Sequence, residues 1–494
     1  MKKNNILIVV FLFLSVVYLS SCSDFLDERP QSDFTQEGTG QEDLISKYKS
    51  LGDAESELLG AYNSFKNDIF QMENFLFNDV QSDNCYVGGD GANDGAVDNF
   101  TLSSINTKVS QIWGQYFSMI GSSTNVIENT KLMEASAIDD VDKKRIIAEA
   151  KFIRAWSLFD MVRFFGDLPM VLQLIPTITA ENLETWYPVM YPERSPEEEV
   201  YAQIIEDLNE ENTIKHLTSQ NKGAFKATKG AAYGLLAKVE ATKGAKSSRD
   251  YNKVVKYCDL VINEGYQLVE NFDDLWNPDI KFTSESLFEV YYTTESPNWA
   301  YWVFLKEDDG SVTWRRYCTP THELIAKFDK EKDVRYSSSI IWKEAPYDVH
   351  YPASRYPFSY KIREKNSNII LMRLADILLL KAEALVELGQ PSEAIDIVNR
   401  IRERAGFDAS YLSRDMSQDN ARLAVEKERQ LELYMEGQRW YDLLRNDRML
   451  DIMRNHKDQD GKLLYPNLQE YRRILPIPQN EMDKNTRLTQ NEGY

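Results

Sequence analysis

The sequence predicts an all-α fold, a body of tetratricopeptide-like helical pairs carrying a long, loop-rich, aromatic-rich insertion and minor β structure. Three observations predict it. The stretch from Ile369 to Gly406 reads as a tight helical hairpin. The run LAKVEA at 236–241 echoes LLKAEA at 379–384, and each is followed by a glycine and a second helical pattern, the mark of stacked repeats. From about Asn271 to Lys365 the texture changes: five of the nine tryptophans (Trp276, Trp299, Trp302, Trp314, Trp342) and nine tyrosines fall among many Pro, Asp and Ser. Long loops kept by a compact domain are usually functional.

Each element has a local reason. The N-terminus sets Lys2 and Lys3 before an apolar run from Ile6 to Leu19, shorter than the ~20 residues that span a bilayer. Leu19-Ser20-Ser21-Cys22 follows. This order predicts a lipoprotein signal peptide over residues 1–21, with Cys22 lipidated and first in the mature chain. The polar, acidic SDFLDERPQSDFTQEGTGQEDL predicts a flexible tether over residues 22–40, leaving one globular domain over 41–494. Removing Cys22 leaves Cys85, Cys258 and Cys318, which read as buried thiols rather than a disulfide framework.

Helical patterning begins near Asp53 and returns at Gln111–Met133 and Val141–Phe165, where GDLP ends it. Ser195-Pro196-Glu197-Glu198 predicts a serine cap, a first-turn proline and first-turn acids. Ala227–Lys243 and Asp250–Glu264 form one predicted hairpin. In the other, Ile370, Leu371, Leu374, Ile377, Leu378 and Leu385 leave almost no polar face, which predicts a core helix from Ile369. Gly389 stops that helix and Pro391 suits the first turn of the next. LFEV at 287–290 predicts a short strand, and LPIPQ at 475–479 an extended tail.

Composition excludes some functions. A net charge of −21 argues against nucleic acid and against electrostatic docking on anionic lipid. Four histidines (His216, His322, His350, His456) have no metal-ligand spacing, and no HExxH, GxSxG, P-loop or dinucleotide fingerprint occurs. Glu428, Glu432, Glu436 and Asp442 raise a glycosidase reading, but acids beside Arg429, Arg439 and Arg445 at helical spacing predict ion pairs within their own helix. The loop at 81–100 offers calcium oxygen ligands at Asp90, Asn93, Asp94 and Asp98; its simpler reading is a flexible turn, since it lacks the EF-hand pattern. Aromatics on polar loops leave flat faces on which sugar rings stack while hydroxyls bond to Asp, Asn and Arg. Trp299, Tyr301, Trp302, Trp314 and Tyr317 are the candidate ligand-binding residues, joined by Asp83 and Asn84.

A series of motifs then runs along nearly the whole chain: CSDFLD at 22–27, QSDNC at 81–85, AKFIRAW at 150–156, FGDLP at 165–169, RLADILLLKAEA at 373–384, NRIRERAG at 399–406, EGQRWYDLLR at 436–445, LPIP at 475–478 and TQNEGY at 489–494. In this order they resemble the SusD/RagB family of Bacteroidetes outer-membrane lipoproteins. The resemblance implies an N-terminal SusD-like part over about 41–230 and a C-terminal RagB/SusD part over about 270–494. It implies a non-catalytic, surface-exposed receptor, without cofactor, that captures an oligosaccharide or polysaccharide and closes over a SusC-like TonB-dependent transporter. It also implies that Ala150–Trp156 and Arg439–Arg445 are structural and that the acids after Cys22 act as a surface-export signal. The alternatives are a peptide-capturing receptor of the same type and a surface glycoside hydrolase.

Overall fold

In the computed structural model, Ser50 opens the first helix by accepting from the Asp53 backbone N–H while the Asp53 carboxylate accepts from Ser50 N, a reciprocal cap. Residues 45–88, 91–219, 225–304, 316–345, 350–407 and 412–494 are described. The signal, Cys22, the tether, Asp90 and Trp314 lie outside them. No helix of the described residues is long and apolar enough to cross a membrane.

Helix α1 (Leu51–Asn63) leads into widened, π-type turns over 69–80 whose residues are mostly buried, including Asn78 and Asp79. A two-residue strand β1 (Cys85–Tyr86) and the short helix α2 (Ala92–Asp98) follow, so half of the presumed loop at 81–100 is ordered structure. Asn106 caps α3 (Thr107–Lys131), and Asp139 caps α4 (Asp140–Phe165), which Gly166 ends at φ 71°. α4 packs along α3 and against α5 (Glu197–Asp207). Ser195 does not cap α5. Its backbone pairs with Leu168 in both directions (3.0 and 2.7 Å), and Asp167 Oδ1 takes the Glu197 N–H at 2.9 Å instead.

The first hairpin consists of α6 (Lys229–Glu240), capped by Thr228, and α7 (Tyr251–Asn263), capped by Asp250. The second hairpin departs from expectation at its start. Ile369–Arg373 is a strand, paired antiparallel with Ser286–Val290, and the helix begins at Leu374. A continuous apolar run does not by itself distinguish a buried strand from a buried helix, and a partner strand decides. These strands (β2, Ser286–Val290, and β6, Ile369–Arg373) press on α6 at Gly234, where a Cβ would stand 2.5 Å from Met372 Sδ.

Between them lie α8 (Ala300–Phe304), β3 (Thr319–Pro320), α9 (His322–Lys327), β4 (Ile340–Lys343) and β5 (Tyr356–Ser359); β1 pairs with β3 and β4 with β5, both antiparallel. Helix α10 (Leu374–Glu387) is buried on nearly every side, against α7, α11 (Pro391–Arg404) and α12 (Gln418–Glu432). Gly389 (φ 76°) and Pro391 make the expected turn. The chain then bends at Met435 and Gly437, both at positive φ, into α13 (Arg439–Arg445). Gly437 is required twice: by its φ of 67° and because a Cβ there would lie 2.2 Å from Asn74 Nδ2.

The tail returns to the end of α4. Leu475 and Ile477 are buried, Leu475 N donates to Phe164 O (2.7 Å), and Asn491 Nδ2 donates to Phe165 O (3.0 Å). Residues 45–174 and 188–494 form one unit around this core; residues 175–187 belong to a second. Within the latter, Asn182 closes a loop by accepting from Thr179 N and donating to Thr177 O, and a helix starts at Leu183.

Candidate ligand-binding face

The acids that raised a hydrolase reading are consumed by the scaffold. Glu428 binds Arg335 (2.6 Å) and Arg402 (3.1 Å); Glu432 binds Arg373 (2.6 Å), Arg335 (3.0 Å) and Arg404; Glu436 binds Arg373 and Lys361, each at 2.7 Å. Asp442 pairs with Arg429 and Arg445. The expectation of pairs within the helix is thus largely wrong: the arginines come from β6, α11 and the segment at 335, because a buried carboxylate is best served by cations from every packed element. Burial alone would raise Glu432, yet Arg404, Arg373 and Arg335 overcome it and hold the carboxyl far below its usual range.

Asp83 and Asn84 belong to the same kind of network. Both are 1% exposed. Asp83 takes Arg439 Nε (2.6 Å), Lys327 Nζ (3.0 Å) and Gln430 Nε2 (2.9 Å), and Asn84 donates to Asp79 (2.8 Å) while accepting from Gln430 (2.9 Å). Burial would raise Asp83, but Arg439 and Lys327 hold it deeply ionised. Asp79, served mainly by neutral donors from Asn84, Gly437 and Met435, is instead pushed up by burial to about 6. These residues fix β1 and the bend before α13; neither Asp83 nor Asn84 offers a polar group to a ligand.

Of the described calcium candidates, Asp94 and Asp98 already have partners on their carboxylates. Asn93 donates to Thr107, Asp94 pairs with Lys108 (3.3 Å), and Asp98 accepts from Val87 N (2.9 Å) and the Tyr465 hydroxyl (2.6 Å). Being on a helix, they do not converge as a loop would, and no group of His, Cys, Asp and Glu among the described residues is placed to hold a metal.

The aromatic candidates separate into two places. At the start of α8, Trp299 and Trp302 are partly buried, each resting on the core, while Tyr301 is buried within it. Gln71 Oε1 holds Trp299 N (2.8 Å), and Asn298 Nδ2 anchors the same turn to Ser367 O. Tyr317, also partly buried, sits where 316–320 runs beside β1.

That second place extends further than the sequence suggested. Tyr86 of β1 stacks on His350 (4.2 Å between centroids, 9° apart), His322 stacks on Tyr351 (4.0 Å), and Tyr351 meets the edge of Trp342 (5.9 Å). Trp342 is half-exposed, braced by Nε1–H to the Tyr336 hydroxyl (2.7 Å) and covered by the exposed Arg355 guanidinium at 4.8 Å. A half-exposed indole with a cation and hydroxyls beside it presents both an apolar face and hydrogen-bonding groups, the chemistry that flat, hydroxylated ligands require.

Known proteins match this architecture. A SusD family model matches residues 349–494, and a SusD-like model described as "starch-binding associating with outer membrane" matches residues 24–240. SusD-like protein P2 of Formosa agariphila is 27% identical, covering 100% of both chains, and a SusD-like protein of Bacteroides ovatus is 25% identical over 74% of this chain and 73% of its own. Among solved structures, a laminarin-binding SusD-like protein superposes with a TM-score of 0.72 at 23% identity, covering 90% of this chain and 100% of the other. Surface glycan-binding protein A from Bacteroides fluxus does so with 0.73 at 22%, covering 90% and 99%. At these identities the superpositions speak for the fold.

Proposed function

The chain belongs to the SusD/RagB family, and on that premise we propose that it is a lipid-anchored outer-membrane receptor that captures a glycan and delivers it to a SusC-like TonB-dependent transporter. Anchorage would run through Cys22 and the tether that follows it. The observation that carries the binding role is the set of half-exposed aromatics, Trp299, Trp302, Tyr317 and Trp342, rested on the core beside polar groups. Each would stack against the C–H face of a sugar ring, and at Trp342 the Arg355 guanidinium and the Tyr336 hydroxyl would take its OH groups. Binding without cleavage is the consistent reading, since the carboxylates that a hydrolase would use are buried and ion-paired.

Affinity electrophoresis and calorimetry against a polysaccharide panel test this. One glycan should retard the protein with no released product. Failure of every glycan, with binding of a proteolytic digest, would replace the glycan by a peptide.

A further inference from the structure

One cavity lies apart from the aromatics, in the helical body. It measures about 270 Å³ and is lined by residues of α4 and α5, the end of α6, the end of α13 and the segment at 473. In a chain of net charge −21, its lining holds four arginines, Arg163, Arg249, Arg445 and Arg473, and one carboxylate, Glu197. The size is near the lower end of small-molecule pockets, about 300–1,000 Å³, and well beyond the needs of a single water.

The arginines differ in what already satisfies them. Arg445 is paired with Glu383 and Asp442, and Arg163 with Asp160 while its guanidinium stacks 3.5 Å over the Tyr441 ring. Arg249 has no ion pair among the described residues. Its guanidinium donates to the carbonyls of Arg445, Thr242 (3.0 Å) and Gly244 (3.1 Å), and the Tyr251 hydroxyl lies close enough to interact with it. Bonds to helix-end carbonyls explain why Arg249 is held there. They do not account for the cavity that the rest of the guanidinium lines. Arg473, exposed at the rim, has Glu470 at 3.7 Å as its one ion pair among the described residues, and Glu197 of the cavity wall feels its charge. Tyr201 and Tyr441 add ring faces to the lining.

We propose that this cavity binds a small organic anion of about monosaccharide size, its carboxylate, sulfate or phosphate group held by Arg249 and Arg473. A planar guanidinium with free donors is the side chain best suited to such oxyanions, and the tyrosine rings would cover the rest of the molecule. The site stands independently of glycan capture at the aromatics.

Titration calorimetry of the full chain in detergent, with D-glucuronate, glucose 6-phosphate, inorganic phosphate and glucose, tests it. Glucuronate or glucose 6-phosphate should bind saturably, glucose should not, and inorganic phosphate should bind more weakly than the sugar phosphate. Arg473→Gln, at the exposed rim, should weaken binding about tenfold, the loss of one charge-assisted hydrogen bond, and Arg249→Gln should abolish it. Trp299→Ala should leave it unchanged, which separates this site from the glycan face. No saturable binding of either sugar anion, glucose binding as tight as theirs, phosphate as tight as glucose 6-phosphate, or an unaltered affinity in Arg473→Gln would each overturn the proposal.

Discussion

The arginine–carboxylate network around Arg373 and the aromatic groups around Trp299 and Trp342 use opposite chemistry to opposite ends. In the first, charged residues are buried and answer one another: Arg373 alone bonds Glu285, Glu432 and Glu436. In the second, apolar rings are left half in water. Charged, catalytic-looking motifs therefore build the frame, and the residues with the least reactive chemistry are the ones to which the proposed function assigns the ligand. Reactivity of residue type is a poor guide to function until burial is known.

Four experiments sharpen that contrast. The largest effect is expected from acid. Glu432, Asp83 and Asp376 have folded-state pKa values held below their unfolded ones, as opposing cations outweigh burial. Their stabilisation is therefore complete above the unfolded pKa, about 4, and is lost as pH falls through the lower folded values. Denaturant midpoints measured from pH 7 to pH 3 should fall steeply below pH 4; a flat profile would mean that the network contributes no net stability.

Arg373→Met comes next. It leaves three carboxylates buried around an apolar side chain and should cost about 3–5 kcal/mol in chemical denaturation. Asp83→Asn should follow with about 1–3 kcal/mol, leaving Arg439 and Lys327 without their shared anion, while glycan affinity per folded molecule stays unchanged. Loss of affinity without loss of stability would return Asp83 to the binding site and break the comparison. The smallest free energies belong to the aromatics. Trp299→Ala, Trp302→Ala and Trp342→Ala should each weaken glycan binding by about 0.5–1.5 kcal/mol, up to roughly tenfold, read by affinity electrophoresis. The variant with the largest loss marks the principal stacking surface.

Much of the frame was legible because helices declare themselves locally. Thr228, Asp250, Gly389 and Pro391 stand at the ends of their helices, as capping chemistry requires. The strand at Ile369–Arg373 was not, because its distinguishing feature is a partner some eighty residues earlier. The same distance hides the ion network: Glu432 meets Arg335 across 97 residues, and Asp83 meets Arg439 across 356. The aromatic set was half legible. Trp299, Trp302 and Tyr317 were marked by a polar, proline-rich setting, whereas Tyr86, His322, Tyr351 and Trp342 come from separate segments and only topology stacks them. Histidines that look isolated in sequence say nothing of ring neighbours.

The return of residues 475–494 onto α4 also sets an order in time. Asn491 closes over the carbonyl of Phe165, 326 residues earlier. The end of α4 therefore gains this cover only once segments far apart in the chain have met. Contacts that far apart in sequence form slowly, and a chain lacking them leaves aromatic surface open. The seam is thus closed by a clasp between distant segments rather than by local collapse.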